Sequence, residues 1–167
     1  MTTIAPRVAA VAPARLLAVT IRTAVLSSGL LAGSLVAVLL ADLALRGNPL
    51  AYIAFHQATT VPFTATLPAI GAVTSIAIVI SLVRGHDPAI RKLLAVALAC
   101  GIAGMLVTVL IHFPLNATIL TWPTGVVPTN FASVATRWDV AHLARTVLTA
   151  TSFVLAASAL ARTTASS

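Results

Sequence analysis

Two stretches of 19 residues without a charged side chain, residues 23–41 and 93–111, constrain this chain more than any other feature. As α-helices they would each extend roughly 28 Å at about 1.5 Å per residue, enough to cross the hydrocarbon core of a bilayer. Because 59% of the residues are hydrophobic and only 8% are charged, the chain exposes too much apolar surface for a soluble domain. The sequence therefore predicts an integral membrane protein.

Two further apolar segments complete an all-α, four-helix membrane bundle in a single domain of residues 16–162. The helices are expected at about residues 16–45, 50–83, 90–112 and 138–161, with a flexible tail of residues 1–15 and a polar tail of residues 163–167. The first helix is expected to be retained, because its apolar part exceeds the ~7 to 15 residues of a cleaved signal peptide. Pro62 and Pro68 leave open whether the second segment is one kinked helix or two. Residues 117–136 are expected to form an ordered interfacial loop.

Basic residues predict the orientation of this bundle. Seven of the ten Lys and Arg residues lie on the side that holds the N-terminus, whereas Arg46, Arg137 and Arg145 lie on the other. Since positive residues collect on the cytoplasmic side, we expect both termini in the cytoplasm and a multi-pass protein of the cell membrane. The net charge of +7 is thereby explained by topology, so the lipid bilayer and not nucleic acid is the expected partner.

Small residues indicate how the helices pack. Gly29, Gly33, Gly101 and Gly104 allow helices to approach closely, which favours tight packing and a homo-oligomer. The single cysteine, Cys100, lies inside an apolar run, so neither a disulfide framework nor a thiolate metal cluster is expected.

Polar residues gather at one end of the predicted bundle. Because successive helices alternate in direction, the end of the first and third helices and the start of the second and fourth lie at the same depth. Three of the four histidines and two of the three acidic residues therefore meet at the non-cytoplasmic end. The residues concerned are Asp42, His56, Gln57, His112, Asn116, Arg137, Asp139, His142 and Arg145. Ionisable side chains at membrane depth are costly and usually face a bundle interior or a wet cavity, so this end is the predicted functional site.

The fourth helix carries the densest part of this set. Trp138, His142 and Arg145 are spaced i, i+4 and i+7, so that they share one helix face. Together with Pro114-Leu115-Asn116 at the end of the third helix and Arg137 beside Trp138, this pattern resembles the anthrone oxygenase family of small four-helix membrane proteins. The resemblance is strong over the two C-terminal helices and looser around His56-Gln57 and Pro68. It implies Asn116, Arg137, Trp138, His142 and Arg145 as site residues, and oxidation of aromatic anthrones to anthraquinones with O2.

The residues themselves are consistent with such a reaction. A neutral histidine removes an acidic proton from a lipid-soluble anthrone or phenol, and Arg145 or Arg137 stabilises the resulting enolate. His142 is the expected base, with His56 or His112 as the alternative. Asn116 and Gln57 are expected to orient the substrate, and Trp138 to form an apolar wall against its ring. Since an electron-rich anion can react directly with O2, no cofactor is required.

Two other hypotheses remain open from the sequence. His56, His112 and His142, with Asp42 as a possible fourth ligand, are candidate ligands for copper, iron or zinc, or two of the histidines for haem. Alternatively, the polar cluster serves membrane assembly or ligand binding without catalysis. A non-enzymatic role predicts that a His142→Ala variant assembles or folds poorly, whereas a catalytic role predicts an assembled but inactive protein.

Overall fold

The computed structural model describes residues 8–165, and the side chains of residues 15–164, in which every regular element is helical. The elements are α1 (Val8–Leu45), α2 (Pro49–Arg84), α3 (Pro88–Val107), a π-helical segment (Thr108–His112), α4 (Phe113–Leu120) and α5 (Phe131–Ala165). The π-helical segment joins α3 to α4 without interruption, so the chain forms four spans of 31 to 36 residues. The predicted all-helical, multi-pass membrane fold is confirmed.

Polar residues followed by proline start α2 and α3. The Asn48 side chain accepts a hydrogen bond from the Ala51 backbone N–H at 3.1 Å, and Asp87 accepts one from that of Ala89 at 2.7 Å. Proline follows each of these residues, and its missing N–H costs nothing in the first turn of a helix. The connections before α2 and α3 are therefore short.

The second apolar segment is one continuous helix of 36 residues, with Pro62 and Pro68 inside it. This resolves the choice between one helix and two. Residues 61–66 around Pro62 are all exposed, so α2 stands away from the other helices at this level. Prolines are tolerated within membrane helices because neighbouring groups satisfy the backbone atoms that they free.

Three predicted helix ends were wrong. The third span was expected to end near residue 112 but continues to Leu120, because the chain passes through a π-helical turn in which the Phe113 N–H donates to the Thr108 carbonyl. This turn comes just before Pro114, so the proline does not end the helix. The last helix begins at Phe131 rather than near residue 138, and the loop shrinks to residues 121–130.

The first helix also starts earlier than expected. Residues 8–15 of the predicted flexible tail belong to α1, and residues 1–7 lie outside the described part of the chain. At the other end, α5 continues to Ala165, into the predicted polar tail, whose residues 166 and 167 are also outside the described part.

Two apolar clusters pack the two ends of the bundle. One contains Ile21 of α1, Ile78 of α2, Ile90 of α3 and Ala159 of α5, so the start of α1 and the end of α5 lie together. The second lies at the opposite end. It is formed by Val38, Ile53, Leu115, Ile119, Trp122, Val134 and Trp138. The start of α1 and the end of α5 therefore lie on the same side of the bundle; that this side is cytoplasmic stays a prediction.

The two glycines of α1 lie in different environments, which gives a first testable prediction. A Cβ atom on Gly29 would lie 3.0 Å from the Phe153 ring of α5, whereas one on Gly33 would meet no atom within 4 Å. Gly29→Leu should therefore overpack the α1–α5 contact and cost about 1–3 kcal/mol, while Gly33→Leu should cost almost nothing. Thermal unfolding of both variants in mild detergent measures the difference. Equal melting temperatures would contradict this packing.

Candidate functional site

A cavity runs between the four spans, and several of the predicted site residues line it. Its polar end is bounded by His56 of α2, His112 of the π-helical segment, Asn116 of α4, and Trp138 and Arg145 of α5. Phe63 and Thr64 also line the cavity and are exposed on the outside of the bundle, so the cavity opens sideways there. In a membrane this mouth faces the lipid.

Trp138 is the centre of the polar end. Its ring stacks on His142 at 4.8 Å between centroids, and it meets His56 at 4.4 Å and His112 at 4.9 Å edge-on. The indole Nε1–H donates a hydrogen bond of 2.8 Å to Asn116 Oδ1. Because the side-chain oxygen of Asn116 is held in this way, its amide N–H groups are directed elsewhere. Trp138 thus joins the three histidines and Asn116 into one aromatic assembly.

The hydrogen bonds of His142 fix its tautomer. Its Nε2 lies 2.9 Å from the Leu35 carbonyl, which can only accept, and its Nδ1 lies 2.8 Å from Arg145 Nη2, which can only donate. The ring therefore carries one proton, on Nε2, and the lone pair of Nδ1 is occupied. His142 was the expected base, but it has no free lone pair for a substrate proton; its contacts orient Arg145 instead.

Arg145 has no acidic partner. Its Nη1 donates to Thr108 Oγ1 at 3.2 Å and its Nη2 to His142, while Nε has no partner. The ion pairs found within residues 15–164 are Arg46–Asp139 and His56–Asp42, neither of which includes it. This part of α5 packs beside Gly104 of α3, where a Cβ would be in ordinary van der Waals contact with Arg145 Cγ at 3.9 Å. A guanidinium without a carboxylate, facing a cavity inside a membrane bundle, is suited to an anionic ligand.

His112 is the second group that is not fully hydrogen-bonded. It is 1% exposed, and neither Nδ1 nor Nε2 makes a well-formed hydrogen bond to the described residues, although the Val107 carbonyl lies near the ring. Since one carbonyl can accept from only one ring nitrogen, the lone pair of the other nitrogen is unoccupied, which points to a ligand that supplies the missing bond. Its position follows from the π-helical turn, a feature that is frequent at functional sites.

Asp42 and His56 form a buried pair beside this assembly. His56 Nε2 lies 3.0 Å from Asp42 Oδ1, both residues are 2% exposed, and Asp42 Oδ2 is unpartnered. Tyr52, which the sequence analysis missed, packs against His56 with the ring centroids 4.2 Å apart and the planes tilted by 39°, and its hydroxyl donates a hydrogen bond of 3.1 Å to Asp139. The sequence spacing could have identified Tyr52, because it precedes His56 by one helical turn and therefore lies on the same helix face. Thr108, the partner of Arg145, was also missed, and nothing in its sequence neighbourhood marks it.

Two predicted site residues lie elsewhere. Arg137 is exposed and is not part of the cavity wall. Adjacent residues of a helix point in directions about 100° apart, so Arg137 faces outward where Trp138 faces the cavity. Gln57 likewise points away from the cavity: its Nε2 donates to the carbonyls of Ile119 at 3.0 Å and Trp122 at 2.9 Å. Gln57 therefore holds the C-terminal end of α4.

The role of Gln57 gives a second prediction. A Gln57→Leu substitution should cost about 1–3 kcal/mol of stability, because two helix-end carbonyls lose their donors. Thermal unfolding in detergent measures this loss. The activity of the folded fraction should stay near that of the unaltered protein, and a loss of activity without a loss of stability would contradict the structural role.

The three histidines of the polar end do not converge with a fourth ligand on a single metal ion in the described part of the chain. The described residues contain no group of three His, Cys, Asp or Glu side chains close enough to hold one ion. The Trp138 ring contacts all three histidine rings, and the His112 and His142 centroids are 6.0 Å apart. Both nitrogens of His142 are already bonded. No step of the chemistry is therefore assigned to a metal.

The comparisons agree with this architecture. The family model described as anthrone oxygenase matches residues 55–155, which is more than half of the 167 residues and includes every residue of the polar end of the cavity. No curated protein and no solved structure matches the chain. The matched region begins one residue before His56 and therefore leaves out α1 with Asp42. By this match, the chain belongs to the anthrone oxygenase family.

Proposed function

We propose that this protein is a membrane-embedded oxygenase that uses O2 to oxidise a lipid-soluble aromatic substrate with an acidic C–H or O–H, such as an anthrone. One observation carries the proposal: Arg145, which forms no ion pair within the described residues, and His112, which has a ring nitrogen free for a ligand there, line the same cavity. A base and a cation around an otherwise apolar cavity are what the formation of an enolate requires.

The reaction balances without a cofactor. The base takes the C–H proton of the anthrone and leaves an enolate. The enolate gives one electron to O2, and the two radicals combine to form a C–O bond. Return of the proton gives a hydroperoxide, which loses the second hydrogen of the same carbon together with hydroxide. The products are the quinone and one water molecule, so both atoms of O2 are accounted for.

Each residue at the polar end of the cavity has its own proposed role in this reaction. His112 is the proposed base, because its lone pair is unoccupied where that of His142 is not. Arg145 stabilises the enolate oxygen through Nε–H in a site where little water weakens the interaction. His142 and Thr108 position the guanidinium. Trp138 lies against the substrate ring, and the Asn116 amide, held by Trp138, orients the substrate.

The test is O2 consumption by the purified protein in mild detergent, with an anthrone as substrate and with metal content determined by mass spectrometry on the same sample. We expect one O2 consumed per anthrone, with one labelled oxygen atom from isotopic O2 in the new carbonyl. Turnover that tracks copper or iron content would overturn the cofactor-free reaction. The absence of any rate above the spontaneous oxidation would overturn the proposed activity altogether.

A further inference from the structure

The cavity continues well beyond the residues that serve the proposed reaction. Trp138 at its polar end and Ser152 at its other end are 14 residues apart on α5, which is roughly 21 Å at 1.5 Å per residue. We call the part beyond Arg145 the arm. It is lined by Ser28, Thr74, Ile78, Ala97, Gly101 and Ser152. The arm therefore makes up about half of the length of the cavity.

The arm is closed and narrow. Ile78, Ala97 and Ser152 at its far end are at most 2% exposed, so it ends inside the protein. The cavity volume is about 90 Å³, distributed over that length. Because this volume is spread over roughly 21 Å, the cross-section of the cavity is narrow, and the shape of the arm suits one extended chain rather than a fused ring.

Three hydroxyl groups along the arm donate within the protein. Ser28 donates to the Ala24 carbonyl at 2.6 Å, Thr74 to Ser27 Oγ at 2.8 Å, and Ser152 to the Ala97 carbonyl at 2.8 Å. Their protons are therefore not offered to a ligand, and only Thr149, one turn beyond Arg145, adds a free hydroxyl to the arm among the described residues. The buried side-chain nitrogens without a partner in this part of the chain, those of His112 and Arg145, lie at the polar end of the cavity.

We infer that the substrate is an elongated amphiphile, with a phenolic or enolic head group at His112 and Arg145 and a single alkyl or isoprenoid chain in the arm. The aromatic head lies at the polar end, where the cavity opens beside Phe63 and Thr64. The assignment of the head group rests on the proposed function; the location of the chain rests on the arm alone. Entry through this sideways mouth suits a molecule that is already dissolved in the bilayer.

Photo-crosslinking locates the chain without requiring turnover. The probe is a phenol with a para-alkyl chain that carries a diazirine near its far end, added to the protein in lipid nanodiscs. After illumination, labelled peptides are mapped by mass spectrometry. We expect labels near Ala97 and Gly101 of α3 and near Ser152 of α5.

A matched pair of variants makes this result specific. A Cβ on Gly101 meets only Ser152 Oγ, at 3.9 Å, so Gly101→Leu fits the backbone and fills the arm. Gly33→Leu adds the same side chain on the outer face of α1, where nothing lies within 4 Å. We expect arm labelling to fall by about tenfold in Gly101→Leu, equivalent to roughly 1.4 kcal/mol, and to persist in Gly33→Leu. Ser75→Leu, on the opposite wall of the cavity, is the second blocking variant if Gly101→Leu folds poorly.

The outcomes separate this inference from the proposed function. Labels confined to lipid-facing positions such as Leu106 and Val147, or equal in all variants, would overturn the arm as the site of the chain, even if anthrones are oxidised. Arm labelling that Gly101→Leu abolishes would support it even if no O2 is consumed, in which case the proposed oxidation fails. An alkyl chain of the probe that is held in the arm is surrounded by C–H bonds of the protein with which the diazirine reacts. An absence of labelling would therefore also contradict the inference.

Discussion

An Arg145→Met variant should oxidise an anthrone about 10² to 10³ times more slowly than the unaltered protein, because the donor to the developing enolate is gone. The same variant should unfold at a higher temperature. Arg145 has no carboxylate partner within the described residues, and replacing a half-buried, unpaired charge with an apolar side chain removes a cost. Initial rates of O2 uptake and thermal unfolding, measured on the same preparation, test both the slower oxidation and the higher unfolding temperature.

Arg137→Met is the matched control for this variant. Arg137 lies on the same helix, carries the same charge and is exposed on the outside of the bundle. We expect its activity to stay within about twofold of the unaltered protein, as for most surface substitutions. If the two variants lose activity equally, a general loss of positive charge explains the effect, and the specific role of Arg145 is wrong.

Replacing His112 with Phe should lower the rate by about 10² to 10⁴-fold for a substrate whose C–H proton must be removed. The loss should be much smaller for a phenol that is already ionised at the pH of the assay, because no proton remains for the base to take. Stability should hardly change, since neither ring nitrogen of His112 has a partner to lose. Parallel rate measurements with the two substrates, at one pH, give the result.

His142→Phe is the comparison that distinguishes a base from a positioning residue. It should destabilise the protein by about 1–3 kcal/mol, because the buried Leu35 carbonyl loses its donor. Its effect on rate should be similar for both substrates, since Arg145 is misplaced in either case. If His112→Phe slows both substrates alike and His142→Phe slows only the one that must be deprotonated, the two roles are reversed.

The fold could be predicted from the sequence because of one strong signal. Uncharged runs of 19 residues have few uses other than spanning a bilayer, and turns such as Asn48-Pro49 and Asp87-Pro88 mark helix starts by their own chemistry. The helix ends were less predictable. Pro114 is a helix-breaking residue by any local rule, and only the π-helical turn before it, which depends on packing, allows the span to continue to Leu120.

The end of the bundle at which the candidate site lies could be predicted from the sequence, but the hydrogen bonds within the site could not. Alternating helix direction suffices to gather Asp42, His56, His112, Asn116 and Arg145 at one end. Which lone pairs remain free depends on groups that carry no sequence signal, such as the Leu35 carbonyl that binds His142. Arg137 and Trp138 are adjacent in the sequence, and only the packing of α5 decides that Trp138 faces the cavity. Gln57 binds carbonyls at the end of α4, a part of the chain that was predicted to be a loop. The substrate and the oligomeric state stay predictions.

The hydrogen bond between His142 and the Leu35 carbonyl joins residues that are 107 positions apart in the chain. At about 5–20 residues per second, roughly 5 to 20 s of translation separate the synthesis of the two partners. Throughout that interval α1 is already made, while the Arg145 guanidinium does not yet exist. The candidate site is therefore complete only after α5 has been inserted, because α5 supplies both His142 and Arg145. A nascent chain that lacks α5 contains the Leu35 carbonyl but neither of the side chains that this carbonyl helps to position.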